Sequence, residues 1–347
     1  MEIVNFAGND YLGLSRDPRL AEAVGRTARE YGISATSSRW ALGWTDIHQQ
    51  LEDDIADFFG AEAACIMGAA YFGGMAYFSV LGKSRSVVYC DKTSHSNLFF
   101  GMRAAGFDIR CFKHLDAGDC AAQMKKHGPA PAVVATDGVY GISGEIAPLA
   151  HLKQASRAAG AELLIDDAHG VFALGENARG SCELHGVGAD DAIILGSLSK
   201  ALGCNGGFLA GREELVDRFR HAEGPSGSAI PPAPIAAAAI EALKIVRKEP
   251  ELREKMGRNA RRMRNALKER RIEVVSEQTP IVAINFADEF EAAAAANHFA
   301  DHGLRIPYFK YASEPRENML RAAARACYTE EQLQRFEAAV DSLELGG

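Results

Sequence analysis

A lysine, an aspartate and a histidine stand just past apolar runs in this chain of 347 residues. Leu163-Leu-Ile165 runs straight into Asp166-Asp-Ala-His169, and Ala192-Ile-Ile-Leu195 leads through Gly-Ser-Leu-Ser to Lys200. Short apolar runs bounded by turn residues read as buried strands. Gly203, Gly206 and Gly207 then let the backbone turn sharply beside something bulky. A lysine so placed is hard to explain as a solvated surface charge. The set matches what pyridoxal 5'-phosphate (PLP) chemistry needs: a lysine to hold the cofactor as a Schiff base and a carboxylate to pair with the pyridinium nitrogen. The plainer alternatives are a lysine whose stem lies along apolar surface and an Asp166 that caps a helix. For the cap, Asp167 is the better candidate.

The elements that position these residues follow from the pattern around them. Between about residues 62 and 211, apolar runs at 62–66, 86–90, 108–112, 132–136, 162–166, 191–196 and 206–210 alternate with helical stretches. Such alternation predicts an α/β fold with a mostly parallel seven-stranded sheet and helices on both faces. Ligands in these sheets sit beyond the carboxyl ends of the strands. His95, Asp137, Asp166, His169 and Lys200 all fall just past such ends. Helices are predicted at 16–31, at 46–59 with Thr45 or Asp46 as N-cap, and from Pro232 to Lys248. Beyond them the pattern gives a helix, strands at 272–275 and 280–286, a helix at 287–302, strands at 304–308 and 318–322, and a helix at 330–344. That is a smaller C-terminal α+β domain. The expected division is an N-terminal arm (1–45), a large PLP-binding domain (46–245) and a small domain (246–347).

Composition narrows the partners. A net charge of −8 argues against a general nucleic-acid binder. The most basic stretch, Arg253 to Arg271, reads as the solvated face of a surface helix. The seven cysteines are scattered without metal-ligand or redox spacing, so no metal site is expected. No apolar run approaches the roughly 18 residues that suggest a membrane span, and the N-terminus has no basic and apolar leader pattern. The expectation is a reduced, cytoplasmic enzyme.

Six ordered motifs then carry a resemblance. They are Asn9-Asp-Tyr-Leu-Gly-Leu14; Ser37-Ser-Arg39 with Gly43 and His48; Thr93-Ser-His95-Ser; Asp137-Gly-Val-Tyr140 with Gly144 and Pro148-Leu149; Asp166-Asp-Ala-His169-Gly170 with Arg179-Gly180-Ser181; and Ser197-Leu-Ser-Lys200-Ala-Leu-Gly203. With them the chain resembles, over nearly its whole length, the α-oxoamine synthase family of fold-type I PLP enzymes, which includes 8-amino-7-oxononanoate synthase, glycine C-acetyltransferase, 5-aminolevulinate synthase and serine palmitoyltransferase. The resemblance implies an acyltransferase that condenses a small amino acid with an acyl-CoA or other acyl thioester, with or without loss of carbon dioxide.

Residue by residue, it implies that Lys200 holds PLP and removes the Cα proton, that Asp166 keeps the pyridinium nitrogen protonated, and that His169 hydrogen-bonds the phenolic oxygen. His95 would stack on the ring and contact the acyl oxygen. Gly68, Ala69 and Ser197 would hold the phosphate together with Ser228 of a neighbouring subunit, which implies a homodimer with shared active sites. Asn9 and Arg321 would bind the amino-acid carboxylate, the guanidinium as a planar two-point fork. Arg325 is the competing arginine, and Arg321 is preferred. Gly141, Phe72 and Phe172 depart from the family pattern, and all are expected where substrate and acyl donor enter. Another PLP reaction at Cα (aldol cleavage, racemisation or transamination) is the alternative on the same scaffold.

Overall fold

A computed structural model describes residues 3–81, 87–128, 132–221, 230–313 and 316–344; Ser228 lies outside them. Its strands are β1 (Val4–Asn5), β2 (Ala63–Met67), β3 (Val87–Asp91), β4 (Asp108–Phe112), β5 (Ala132–Asp137), β6 (Glu162–Asp166), β7 (Ile193–Ser197), β8 (Gly207–Gly211), β9 (Ile281–Phe286), β10 (Leu304–Arg305), β11 (Tyr308–Ser313) and β12 (Arg316–Ala323). The chain divides into two compact units. One comprises Leu14–Val139 and Ile146–Lys248, the other Met1–Gly13, Tyr140–Glu145 and Glu249–Gly347.

The larger unit holds the expected seven-stranded sheet, in the order β2-β8-β7-β6-β5-β3-β4. Only β8 runs against its neighbours. Strands buried on both faces read as unbroken apolar runs, which is why the sequence marked most of them within a residue or two; the edge strand β4, with Asp108 and Cys111 exposed, is the exception. Leu164, Val133, Val88 and Leu209 pack beneath Phe78, Leu98, Met102 and Val216 from helices Gly73–Leu81, Ser96–Ala104 and Glu213–Arg220. Leu163 and Ile165 alternate to the opposite face and are equally buried. Helix Asp46–Phe59 begins at a Thr45/His48 capping box and stops at Gly60, whose φ of 64° suits a residue without a side chain.

The smaller unit is built on the antiparallel sheet β11-β12-β9 and the parallel pair β1-β10. Helices Glu251–Glu269, Glu289–Asp301 and Glu330–Asp341 complete it around Phe6, Phe299, Phe336, Ile284 and Leu320. The expected arm 1–45 is not one body. Residues up to Gly13 join this unit because Val4 pairs with Leu304, Ala323 N–H donates to Phe6 O at 2.7 Å and Ala326 N–H to Tyr11 O at 2.8 Å. The helix Pro18–Tyr31 belongs to the larger unit. The loop Tyr140–Glu145 is held by Ser276 and Thr279, whose hydroxyls donate to Gly144 O at 2.6 and 2.9 Å.

Three further expectations change. The predicted strand 272–275 is a single bridge, Val274 to Ile284. The predicted strand 304–308 breaks between β10 and β11 at Pro307, which has no N–H for a ladder. The basic run does form a helix, but Arg264 on it is buried. It donates to the carbonyls of Ser276, Thr279 and Ile281, and burial lowers its guanidinium to about 10. Arg262 on the same helix pairs with Glu337 at 2.5 Å and Glu330 at 2.6 Å.

Candidate active site

The chemistry-bearing residues of the larger unit gather at one edge of its sheet. Asp137 and Asp166 end adjacent parallel strands and are direct register partners. A cavity of about 250 Å³ is lined by Lys200, Asp166, His169, His95, Ala69 and Ser197 among others. Six residues singled out in the sequence thus meet in one place. Gly68 sits between the end of β2 and Ala69, on the turn that leads into helix Gly73–Leu81. Backbone N–H groups at such a helix start favour an anion.

Asp166 is almost fully buried, accepting from Asn97 Nδ2 at 2.8 Å and from Ala168 N–H at 3.2 Å. The sequence reading did not single out Asn97, because its partner lies 69 positions away. Asp137 accepts from the backbone N–H of His95 at 3.0 Å. Burial, and then the negative charge of Asp166, push the Asp137 carboxyl well above the usual carboxylate range. Two adjacent carboxyls at a buried sheet edge cannot both ionise cheaply.

Capping falls to Asp167. Its carboxylate accepts from Ser181 N–H at 2.7 Å at the start of helix Ser181–Leu184. A Cβ at Gly138, Gly170 or Gly180 would run into that carboxylate, and burial raises it to about 7. Ser197 Oγ lies 2.9 Å from Ser199 Oγ and accepts from Ser199 N–H at 3.1 Å. Ser199 also lines the cavity and is exposed, a second hydroxyl that the Ser-Leu-Ser-Lys motif contained and the reading passed over.

Gly207 permits a close approach. A Cβ there would run into the backbone N and Cα of Ala70, on the turn after Ala69. We expect Gly207→Ala to cost about 1–3 kcal/mol, the usual range for overpacking, and to weaken cofactor binding by shifting that turn. Thermal melting and PLP titration of the variant check both effects.

Phe172 is not at an entrance. It is fully buried, with its ring 5.3 Å from Phe58, 5.6 Å from Phe59 and 5.8 Å from Phe208. This aromatic cluster holds it at a φ of 65°, where a glycine would sit without strain. Phe72, by contrast, is 54% exposed.

Asn9 and Arg321 meet within the smaller unit. Arg321 is 4% exposed and donates from Nη2 to Asn9 Oδ1 at 2.6 Å and to Tyr11 Oη at 3.1 Å, from Nη1 to Ala7 O at 3.0 Å, and from Nε to Gly141 O at 2.9 Å. All four partners are neutral, and no carboxylate among the described residues pairs with this cation. The expected open fork is therefore not what the unit presents: only one Nη1–H is left over. Guanidinium only donates, so the amide atom facing it is the Asn9 oxygen and the Asn9 Nδ2 points away as a further donor. The competitor Arg325 already has its anion, Asp10, at 2.7 Å. If Arg321 is the carboxylate-binding residue, Arg321→Lys raises KM for the amino acid roughly 10- to 100-fold, the size of a lost charge-assisted hydrogen bond. Arg325→Lys leaves that KM within about threefold. Steady-state kinetics on both variants, with melting curves as controls, separate the two.

The donor set at the sheet edge fits PLP: a carboxylate fixed by two N–H donors, an amine, two imidazoles and backbone amides at a helix start share one cavity. Known proteins agree with that fit. The aminotransferase class I and II family model matches residues 1–340. The 8-amino-7-oxononanoate synthase of Alkalilimnicola ehrlichii is 31% identical over 97% of this chain and 87% of its own. Serine palmitoyltransferase from Sphingomonas wittichii superposes with a TM-score of 0.93 at 25% identity, covering 98% of this chain and 86% of that one. A serine palmitoyltransferase structure carrying PLP gives 0.92 at 25% identity, over 98% of this chain and 89% of the other. The chain belongs to the class I and II aminotransferase family, within its α-oxoamine synthase branch, and uses pyridoxal 5'-phosphate as its cofactor.

Proposed function

We propose that the protein joins a small amino acid to an acyl-CoA or related acyl thioester in the manner of an 8-amino-7-oxononanoate synthase. A C–C bond forms between Cα and the acyl carbon, the C–S bond breaks, and coenzyme A leaves, with or without subsequent loss of carbon dioxide. The observation that carries this reading is the meeting of Lys200, Asp166, His169 and His95 on one cavity at the sheet edge. Arg321, a buried guanidinium with only neutral oxygen partners, supports an acid as the substrate.

When bound, PLP supplies the electron sink for a carbanion at Cα. The chain does the rest. Asp166, held as an acceptor by Asn97, keeps a proton on the ring nitrogen. Lys200 Nζ anchors the cofactor and takes the Cα proton. His169 donates to the phenolic oxygen, while Gly68, Ala69 and Ser197 hold the phosphate. Arg321 and the Asn9 amide bind the substrate carboxylate, and His95 faces the acyl oxygen. Water must stay out, since a proton from solvent would quench the carbanion.

A homodimer in which Ser228 of one subunit completes the phosphate site of the other is part of this proposal; sedimentation of the purified protein tests it. Cytoplasmic residence is also proposed, on seven cysteines all in the thiol form. No helix among the described residues is long and apolar enough to cross a membrane. The deciding assay is thiol release from a panel of acyl-CoAs offered with glycine, alanine or serine to PLP-loaded protein. Thiol release that depends on one amino acid is the expected result. Aldehyde or keto-acid formation without thiol would overturn the reading in favour of another reaction at Cα.

A further inference from the structure

One turn at the start of helix Ser96–Ala104 touches three groups of the cavity at once. His95 is the N-cap of that helix, and its Nδ1 accepts the backbone N–H of Asn97 at 3.3 Å. The His95 N–H is fixed by Asp137 at 3.0 Å. The Asn97 side chain, 2% exposed, donates from Nδ2 to Asp166 Oδ2 at 2.8 Å, and its Oδ1 is buried with no partner. A buried amide oxygen left unpaired costs free energy. The amide is not flipped to satisfy it, because a carboxylate accepts only and the atom facing Asp166 must be the nitrogen.

We infer that Asn97 is a positioning residue that couples the two cofactor-facing groups, fixing the Asp166 carboxylate through its side chain and the His95 tautomer through its backbone. Nδ1 accepts a hydrogen bond and so carries no proton, which places the proton of the neutral ring on Nε2. His95 lines the cavity and is exposed to it. It therefore offers an N–H donor there, not a bare nitrogen. A donor is what an acyl oxygen gathering negative charge requires, whereas a bare nitrogen would repel it. The inference thus deepens the proposed function and rests on it for the nature of the ligand.

The tautomer is measurable without any reaction. In wild-type protein carrying 15N-labelled histidine, with and without PLP, the ring resonances of His95 should show Nε2 protonated and Nδ1 bare; His95→Gln assigns them. The opposite tautomer sinks the inference, whatever the protein binds. The side-chain half is read on variants. Asn97→Leu and Asn97→Asp each remove the donor that faces Asp166. They should weaken PLP binding roughly ten- to a hundredfold in reconstitution titrations, while the His95 tautomer stays as in wild type, because the backbone N–H of residue 97 is kept. Asn97→Ser restores a short donor and should recover part of the affinity. If Asn97→Leu binds PLP as wild type does, the Asn97 side chain positions nothing. Melting curves of the apoproteins identify variants that fail to fold, for which the wild-type spectrum alone decides. A wild-type protein that binds no PLP would instead sink the proposed function, and would leave the tautomer result standing.

Discussion

A Lys200→Ala variant folds and loses about four orders of magnitude or more of condensation rate, the upper end of what one positioned acid–base group contributes. Two tasks disappear together: the amine that anchors the cofactor and the base that removes the Cα proton. Only side-chain atoms beyond Cβ are removed, at a half-buried position lining a cavity, so little packing is lost. Lys200→Met keeps the stem and serves as the packing control; it should be as inactive as the alanine variant. Small primary amines added to Lys200→Ala should restore a fraction of the proton-transfer step, because the space left is the size of the propylamine chain beyond Cβ. Rates of thiol release and of solvent exchange at Cα measure both effects. Retention of more than about one per cent of the wild-type rate would place the base elsewhere.

Asp166→Asn and Asp137→Asn should differ sharply although the residues end neighbouring strands. The Asp166 carboxyl accepts from Asn97 and from the Ala168 amide. Its replacement by a neutral amide removes the partner of a protonated ring nitrogen. Breaking a buried charge pair from one side costs about 3–5 kcal/mol, or roughly 10²- to 10⁴-fold in rate. Burial and the neighbouring Asp166 raise the Asp137 carboxyl, which favours its protonated form. Asparagine reproduces a neutral carboxylic acid in shape, and its Oδ1 still accepts the His95 N–H. Asp137→Asn should therefore stay within about tenfold of wild type. Equal losses in the two variants would mean that the proton sits on Asp166. Turnover and the absorbance of the bound cofactor report on each.

The sheet and the cavity were legible because their signals are local. Buried parallel strands are continuous apolar runs; Asp166 closes one, and His169 and Lys200 each stand three residues past a strand end. Asn97 was not legible, since nothing near it in sequence announces a bond to Asp166. Nor was the upward push on the Asp137 carboxyl, which depends on strand register. Arg264 looked like its neighbours on a basic helix, yet three carbonyls near the start of β9 draw it inward. Phe172 was read as a departure at an entrance because a family pattern gives position along the chain but not depth; three other rings set its place. The fork of Arg321 was expected open for the same reason. Its acceptors come from residues 7, 9, 11 and 141, and only the folded unit brings them together.

The pairing of β1 with β10 sets a timetable for synthesis. Leu304, the partner of Val4, is translated about 300 residues after it, roughly 15–60 s at about 5–20 residues per second. Over that interval Phe6 and Tyr11, both fully buried in the finished protein, lack Tyr328 and Phe336, whose rings pack on Phe6, and Ala326, whose N–H donates to Tyr11 O. The larger unit, complete at Lys248, has the residues it needs well before then. A nascent chain interrupted between Lys248 and Leu304 would thus leave Val4, Phe6 and Tyr11 without those partners, a natural handle for chaperones and for quality-control proteases.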